Sequence, residues 1–214
     1  MSGITLSSNA TRYSFASASL VWTLLAVWFF AVVLLGSDRF FVAPVGMPPL
    51  ALLVAATGPV MLFLLGVFLS PAVRESALAV DLKVATAAQA WRLGGYTFLI
   101  LYSYGYLPGY FAWPAAIGDM FIGATAPLLL SKINRAGFLQ SRVFVLWNVL
   151  GILDLVVAVG MGALGSLLAP NAAGVFPTTI MSQLPLVLVP AFFVPLFVVL
   201  HVIALLQAKH EKIN

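Results

Sequence analysis

The 214 residues are 63% apolar and 7% charged, with a mean hydropathy of +1.11, whereas a soluble domain carries about a quarter charged residues, so the polar surface needed to cover a water-soluble globule is missing. Cysteine is absent, which excludes structural disulfides, thiolate metal and iron–sulfur sites, a cysteine nucleophile and c-type haem attachment. The net charge of +4 and pI near 9.6 would point to nucleic acid only if the basic residues formed a patch.

Residues 1–18 read as a polar tail with one charge, Arg12, and the apolar run over residues 19–36 is the first predicted crossing; at ~1.5 Å per residue it nearly spans a ~30 Å hydrocarbon layer. A cleaved signal peptide is the rival reading, disfavoured because the run is long and no Ala-x-Ala site follows. Asp38, Arg39 and the turn signals Pro44, Pro48 and Pro49 lead into a second crossing over residues 50–69, with Pro59 mid-span. Ser70 and Pro71 are suited to N-cap and first helical position, so a new helix is expected there. From residue 72 the polar side chains Arg74, Glu75, Asp81, Gln89 and Arg92 fall within about 120° of one face at ~100° per residue, which predicts an amphipathic interfacial helix over residues 72–90.

Further crossings are predicted over residues 88–106, 115–131, 143–164 and 184–207, with a charged tail at 208–214. Between the third and fourth, the uncharged stretch from Tyr102 to Trp113 holds six aromatic residues and reads as an interfacial turn. The expected fold class is therefore all-α: a polytopic membrane protein, one domain over residues 19–207, with about six transmembrane helices and one interfacial helix.

In this arrangement Arg12, Arg74, Lys83, Arg92, Lys132, Arg135, Arg142, Lys209 and Lys212 fall on one side and Arg39 on the other, so both termini are expected to be cytoplasmic. The spread over short loops removes the nucleic-acid reading. The outside-to-inside helices carry the prolines: Pro49 and Pro59, Pro114 and Pro127, and Pro185, Pro190 and Pro195. Each internal proline frees a carbonyl about one turn earlier, which neighbours or Thr57 and Thr125 must satisfy. The similar stretches Ala55-Ala-Thr-Gly-Pro59 and Gly123-Ala-Thr-Ala-Pro127 hint at a repeated hairpin.

Charged groups at hydrocarbon depth cost ~2.5–3.5 kcal/mol on the insertion scale, so they point to function. Counting along the predicted helices puts Asp154 near mid-membrane, Asp119 in the outer third of the fourth helix, Asn148 in the inner half of the fifth, His201 in the inner third of the sixth and Arg92 at the inner edge of the third. On this count Asp119 and Asp154 line an outer polar cavity. Asn148, His201 and Arg92 continue it inward as an interrupted proton or ligand path. The competing reading makes the aspartates structural, bonded to neighbouring helices. Trp147, Asn148, Gly151 and Asp154 share one face, where Gly151 lets a neighbouring helix approach. Asp119, Asp154 and His201 differ in depth by about half the membrane, so no metal site is expected. No cofactor is expected either: haem on His201 is disfavoured because His210 lies in the charged tail. No phosphate loop, zinc-protease motif or nucleophile elbow occurs, and Lys83 lies outside the bundle where a retinal-type Schiff base would form.

The motifs Trp91-Arg92-Leu-Gly-Gly, Leu107-Pro108-Gly-x-Phe111, Pro114-x-x-x-Gly118-Asp119, Trp147-Asn148-x-x-Gly151-x-x-Asp154, and Pro190-x-x-x-x-Pro195 ahead of His201 resemble small uncharacterised bacterial six-helix inner-membrane proteins. The likeness covers about residues 85–207 and implies a multi-pass inner-membrane location without implying an activity.

Three functions fit the sequence: small-molecule binding or transport through a polar site built on the intramembrane carboxylates; an accessory or assembly subunit; or an intramembrane enzyme acting on a lipid or quinone. The expected partners are the lipid bilayer and, for the second reading, another membrane protein or a second copy.

Overall fold

A computed structural model describes residues 15–44, 46–168 and 178–213. The tail with Arg12, the segment 169–177, the side chain of Lys212 and Asn214 lie outside the described residues. Among the described residues the secondary structure is helical, with no strand. This is what a chain of this composition must do, since hydrocarbon offers the backbone no other hydrogen-bond partner. Five helical segments are long and apolar enough to cross a bilayer: Ser19–Ser37, Leu50–Leu69, Gly109–Leu130, Arg142–Leu167 and Val189–Glu211. The protein is a polytopic α-helical membrane bundle.

The elements in chain order are α1 (Phe15–Ser37), α2 (Leu50–Leu69), α3 (Pro71–Leu78), α4 (Leu82–Ala88), a 3₁₀ stretch (Gln89–Gly95), α5 (Tyr96–Ser103), α6 (Gly109–Leu130), α7 (Arg142–Leu168), a short 3₁₀ turn (Thr179–Ser182), a π-helical stretch (Val189–Phe193) and α8 (Val194–Ile213). Ser70 caps α3 by accepting from the Val73 amide. Here the structure corrects the amphipathic helix over residues 72–90. The chain breaks after α3, and Asp81 caps a new helix by accepting from the Lys83 amide at 2.8 Å. The alignment of polar groups from Arg74 to Arg92 assumed one unbroken helix. The break dissolves it, and Gln89 and Arg92 turn out to be buried.

The segment expected to form the third crossing over residues 88–106 is instead a composite run over residues 82–103, α then 3₁₀ then α without interruption. At ~1.5 Å per α residue and ~2.0 Å per 3₁₀ residue it is about 36 Å long, enough to traverse the ~30 Å hydrocarbon core. It runs antiparallel to α6 along its whole length. Leu82 and Ala85 share a core with Leu129, Phe144 and Ala204 at one end of the bundle, and Phe98 packs with Phe111, Ala115 and Met181 toward the other. The fourth crossing likewise begins at Gly109, not at residue 115, so the aromatic turn is confined to residues 104–108 and Pro114 lies inside α6. α1, α2 and the π-helical stretch meet through Val32, Leu52 and Phe192.

Thr57 and Thr125 do not take up the carbonyls freed by Pro59 and Pro127. Their hydroxyls donate to Leu53 O and to Phe121 O, at 2.7 and 2.6 Å. Thr125 also accepts from Trp147 Nε1 at 2.8 Å, tying α6 to α7. At the end holding Leu82, the Gln207 amide of α8 donates to Ala77 O and Val80 O and Gln140 bonds Glu211. Lys83, Lys132, Arg135, Arg142 and Lys209 belong to that end.

The break after α3 has a direct test in a chain that lacks cysteine. A cysteine at Ala72, which is exposed, reacts with a water-soluble maleimide. One at Thr86, which is buried, stays unlabelled until the protein is denatured. Equal labelling of both would restore the continuous interfacial helix.

Candidate functional site

The 3₁₀ stretch sets the site. Such runs seldom exceed 3–4 residues, and their side chains eclipse at every third position; this one has seven residues, and its buried positions are Gln89, Arg92 and Gly95. The winding stacks these three in one straight ridge facing the bundle. In an α-helix, Gln89 and Gly95 would diverge by about 120°.

Arg92 is the ridge's centre and is 2% exposed. Its Nε donates to Asp119 Oδ1 at 2.7 Å, and its Nη2 donates to Asp154 Oδ2. Its Nη1 donates to Gly151 O at 3.2 Å and lies 3.3 Å from His201 Nε2. His201 Nδ1 is 2.9 Å from Asn148 Oδ1, while Asn148 Nδ2 donates to Phe144 O at 2.9 Å. These contacts assign the proton on the imidazole. The Asn148 amide nitrogen is committed to Phe144, so its oxygen accepts from Nδ1–H, and a guanidinium can only donate, so Nε2 accepts. His201 is therefore neutral, held so from both sides. The edge of Trp147 packs on its ring with centroids 5.3 Å apart.

All five residues singled out in the sequence thus meet at one place. Asp154 keeps the mid-membrane depth counted along the sequence, whereas the depths of Arg92, Asp119 and His201 differ from it. Arg92 is the eleventh residue of the run over residues 82–103, Asp119 the eleventh of α6, Asp154 the thirteenth of α7, and His201 the thirteenth counted from the start of the π stretch. Each lies at the middle of its element. The earlier counts used helix starts that were late by six residues for α6 and by about as many for the third crossing. Arg92 also leaves the set of loop cations. Asp119, Asp154 and His201 do converge, but on the guanidinium, which fills the position between them. Among the described residues no group of three or more acidic, His or Cys side chains is arranged to hold a metal ion.

Four glycines make the convergence feasible. A Cβ at Gly118 would strike the Asp154 carboxylate, and one at Gly151 would strike the His201 ring. A Cβ at Gly95 would meet Asp119 Cβ and lie 2.9 Å from its Oδ2, and one at Gly123 would press on the backbone of Arg92 and Leu93. Gln89, which sequence reasoning assigned to the headgroups, donates to Phe197 O at 3.3 Å, and its Oε1 is buried without a partner. The spacing 89, 92, 95 is the signal that would have found it.

A cavity of about 230 Å³ opens on this cluster, floored by Arg92 and Asp119 and walled by Gly95 and Phe98 on one side and Val189, Phe193 and Phe197 on the other. Asp119 also borders a smaller void of about 50 Å³ that runs toward Ser182, Thr178 and Pro49. Asp119 and Asp154 side chains keep 16% exposure each.

Two glycine substitutions separate this architecture from generic helix packing. Gly151→Ala overpacks the His201 contact and is expected to cost about 1–3 kcal/mol. Gly160→Ala, on the same helix with nothing within 4 Å, is expected to be neutral or to gain up to about 1 kcal/mol. Thermal denaturation in detergent reads both, and equal effects would refute the close approach. Arg92→Leu, which leaves two buried carboxylates uncompensated, is expected to cost about 3–5 kcal/mol in the same assay.

No curated protein and no solved structure matches the chain. A family model does, over residues 49–208, a span that includes every member of the cluster and excludes α1. The chain belongs to the family described as Domain of unknown function (DUF8737).

Proposed function

We propose that this protein binds a small molecule at the Arg92–Asp119–Asp154 centre, as the midplane site of a carrier. The observation that carries the reading is the junction of two features that packing alone does not require. A buried ion cluster sits at the middle of four helical elements, and a cavity reaches it with both Arg92 and Asp119 in its lining. An ion cluster serving only to pin helices together needs no cavity of this size beside it. Carriers hold their cargo near mid-bilayer, between helices whose windings are broken. The 3₁₀ and π stretches on either side of this cavity are such breaks.

The same reading takes the protein as a multi-pass component of a bacterial inner membrane with both termini cytoplasmic. What supports that orientation is the gathering of Lys83, Lys132, Arg135, Arg142 and Lys209 at the Leu82 end, against Arg39 in the α1–α2 loop.

The test is a thermal-shift screen of the purified chain in lipid nanodiscs against small cationic, neutral and anionic amphiphiles. Binding at a hundredfold excess over Kd stabilises the folded state by about 2.7 kcal/mol. At least one class is expected to raise the unfolding midpoint of the wild type and to lose most of that effect in Asp119→Asn. A midpoint that no class moves, or that moves equally in the variant, would overturn the reading.

A further inference from the structure

The chemistry of the ligand follows from the charge, walls and rim of the same site, and rests on the binding function just proposed. The cluster holds one guanidinium against two carboxylates, and His201 is neutral by its hydrogen bonds. With both carboxylates ionised, one negative charge is in excess at a depth where an unbalanced charge is costly. That excess lies on the cavity side. Arg92 is committed to Asp119 Oδ1, Asp154, Gly151 and His201, while Asp119 Oδ2 lies over Gly95, in the cavity wall.

The walls are aromatic as well as apolar. Trp91, Phe98, Phe193 and Phe197 line the cavity, and the rings of Phe193 and Phe197 stack at 6.0 Å. Aromatic rings beside a carboxylate floor favour a poorly hydrated cation over an anion. An apolar cavity of about 150 Å³ already admits benzene, so 230 Å³ has room for an aromatic ring bearing a compact charged group.

The rim fixes the route. Trp91 is 77% exposed, and a Cβ at Gly94 would have nothing within 4 Å. Both positions lie near the middle of the composite crossing, where the surroundings are lipid. The geometry points to a hydrophobic monocation, an organic ammonium with an apolar body, that enters sideways from the bilayer between the 3₁₀ and π stretches and sets its charge against Asp119. Its apolar body rests on the rings, and its charge completes the neutralisation that Arg92 leaves unfinished.

Benzyltrimethylammonium and its uncharged carbon isostere neopentylbenzene differ in charge and hardly in shape, and 4-phenylbutanoate supplies an anion of similar size. Their Kd values are measured on the wild type in nanodiscs, corrected for partition into empty nanodiscs. The cation is expected to bind about tenfold or more tighter than the isostere, and Asp119→Asn is expected to erase that difference. Equal affinity of cation and isostere would overturn the cation assignment while the binding function stands. Tighter binding of the anion would overturn it in favour of Arg92 as the recognition group. Saturable binding by none of the three would overturn both. Gly94→Phe, at a position with open space, is expected to slow cation association about tenfold, and an unchanged rate would overturn lateral entry.

Discussion

A guanidinium at the centre of a membrane bundle must be neutralised where it stands, and most of the particular features of this chain answer that constraint. Arg92 is 2% exposed, and its side chain is too deep to reach the headgroups. Asp119 and Asp154 supply the charge, while Gly151 O and His201 Nε2 take the remaining Nη1 donors. To bring four elements within hydrogen-bond reach of one side chain, the helices have to approach more closely than ordinary side chains allow. Gly95, Gly118, Gly123 and Gly151 stand at those approaches. The imidazole is kept neutral by the same constraint, since a protonated ring would face the guanidinium without an intervening anion.

Neutralisation alone does not account for the composition of the cluster. One carboxylate balances one guanidinium, and a second in hydrocarbon adds desolvation cost unless something positive joins it. The second acid leaves two carboxylates on one guanidinium, and that imbalance on the cavity side is the observation behind the proposed cation site.

Much of this was legible in the sequence, and what was not has identifiable causes. Composition and the long apolar runs suffice for the all-helical membrane bundle, because hydrocarbon leaves the backbone so few alternatives. Asp119, Asn148, Asp154, His201 and Arg92 stand out by polarity in apolar surroundings, which is a one-dimensional property. Their convergence is three-dimensional and depends on helix starts, the least determined feature of an apolar sequence. Reading Gly109–Trp113 as turn instead of helix was enough to misplace Asp119 by about two helical turns. The larger misreading came from assuming a period of 3.6 through residues 72–92. One helix ends at Leu78 and Asp81 caps another, and beyond Ala88 the period is 3.0, so Gln89 and Arg92 face inward in a register that an α-helical wheel does not display.

The departures from α-helical winding also explain why there is a cavity at all. Helices mesh because ridges formed at every third and fourth residue fit the grooves of a neighbour with the same pitch. A 3₁₀ segment eclipses its side chains at every third residue and is narrower, while a π segment is wider and turns more slowly. Facing each other across the bundle, Gln89–Gly95 and Val189–Phe193 have no common pitch with which to interdigitate, and the glycines at 94 and 95 add no side chain to fill the gap. The void is therefore a consequence of backbone geometry more than of small side chains. That geometry in turn has local causes. The 3₁₀ winding keeps Gln89, Arg92 and Gly95 in line with the acids of α6 and α7. The π stretch accompanies Pro190, with Pro195 following in α8, where the regular i→i−4 ladder cannot be completed. The segment that points Arg92 at its carboxylates and the segment that prolines prevent from winding normally are the two walls of the cavity, so the ion cluster and the access to it arise together.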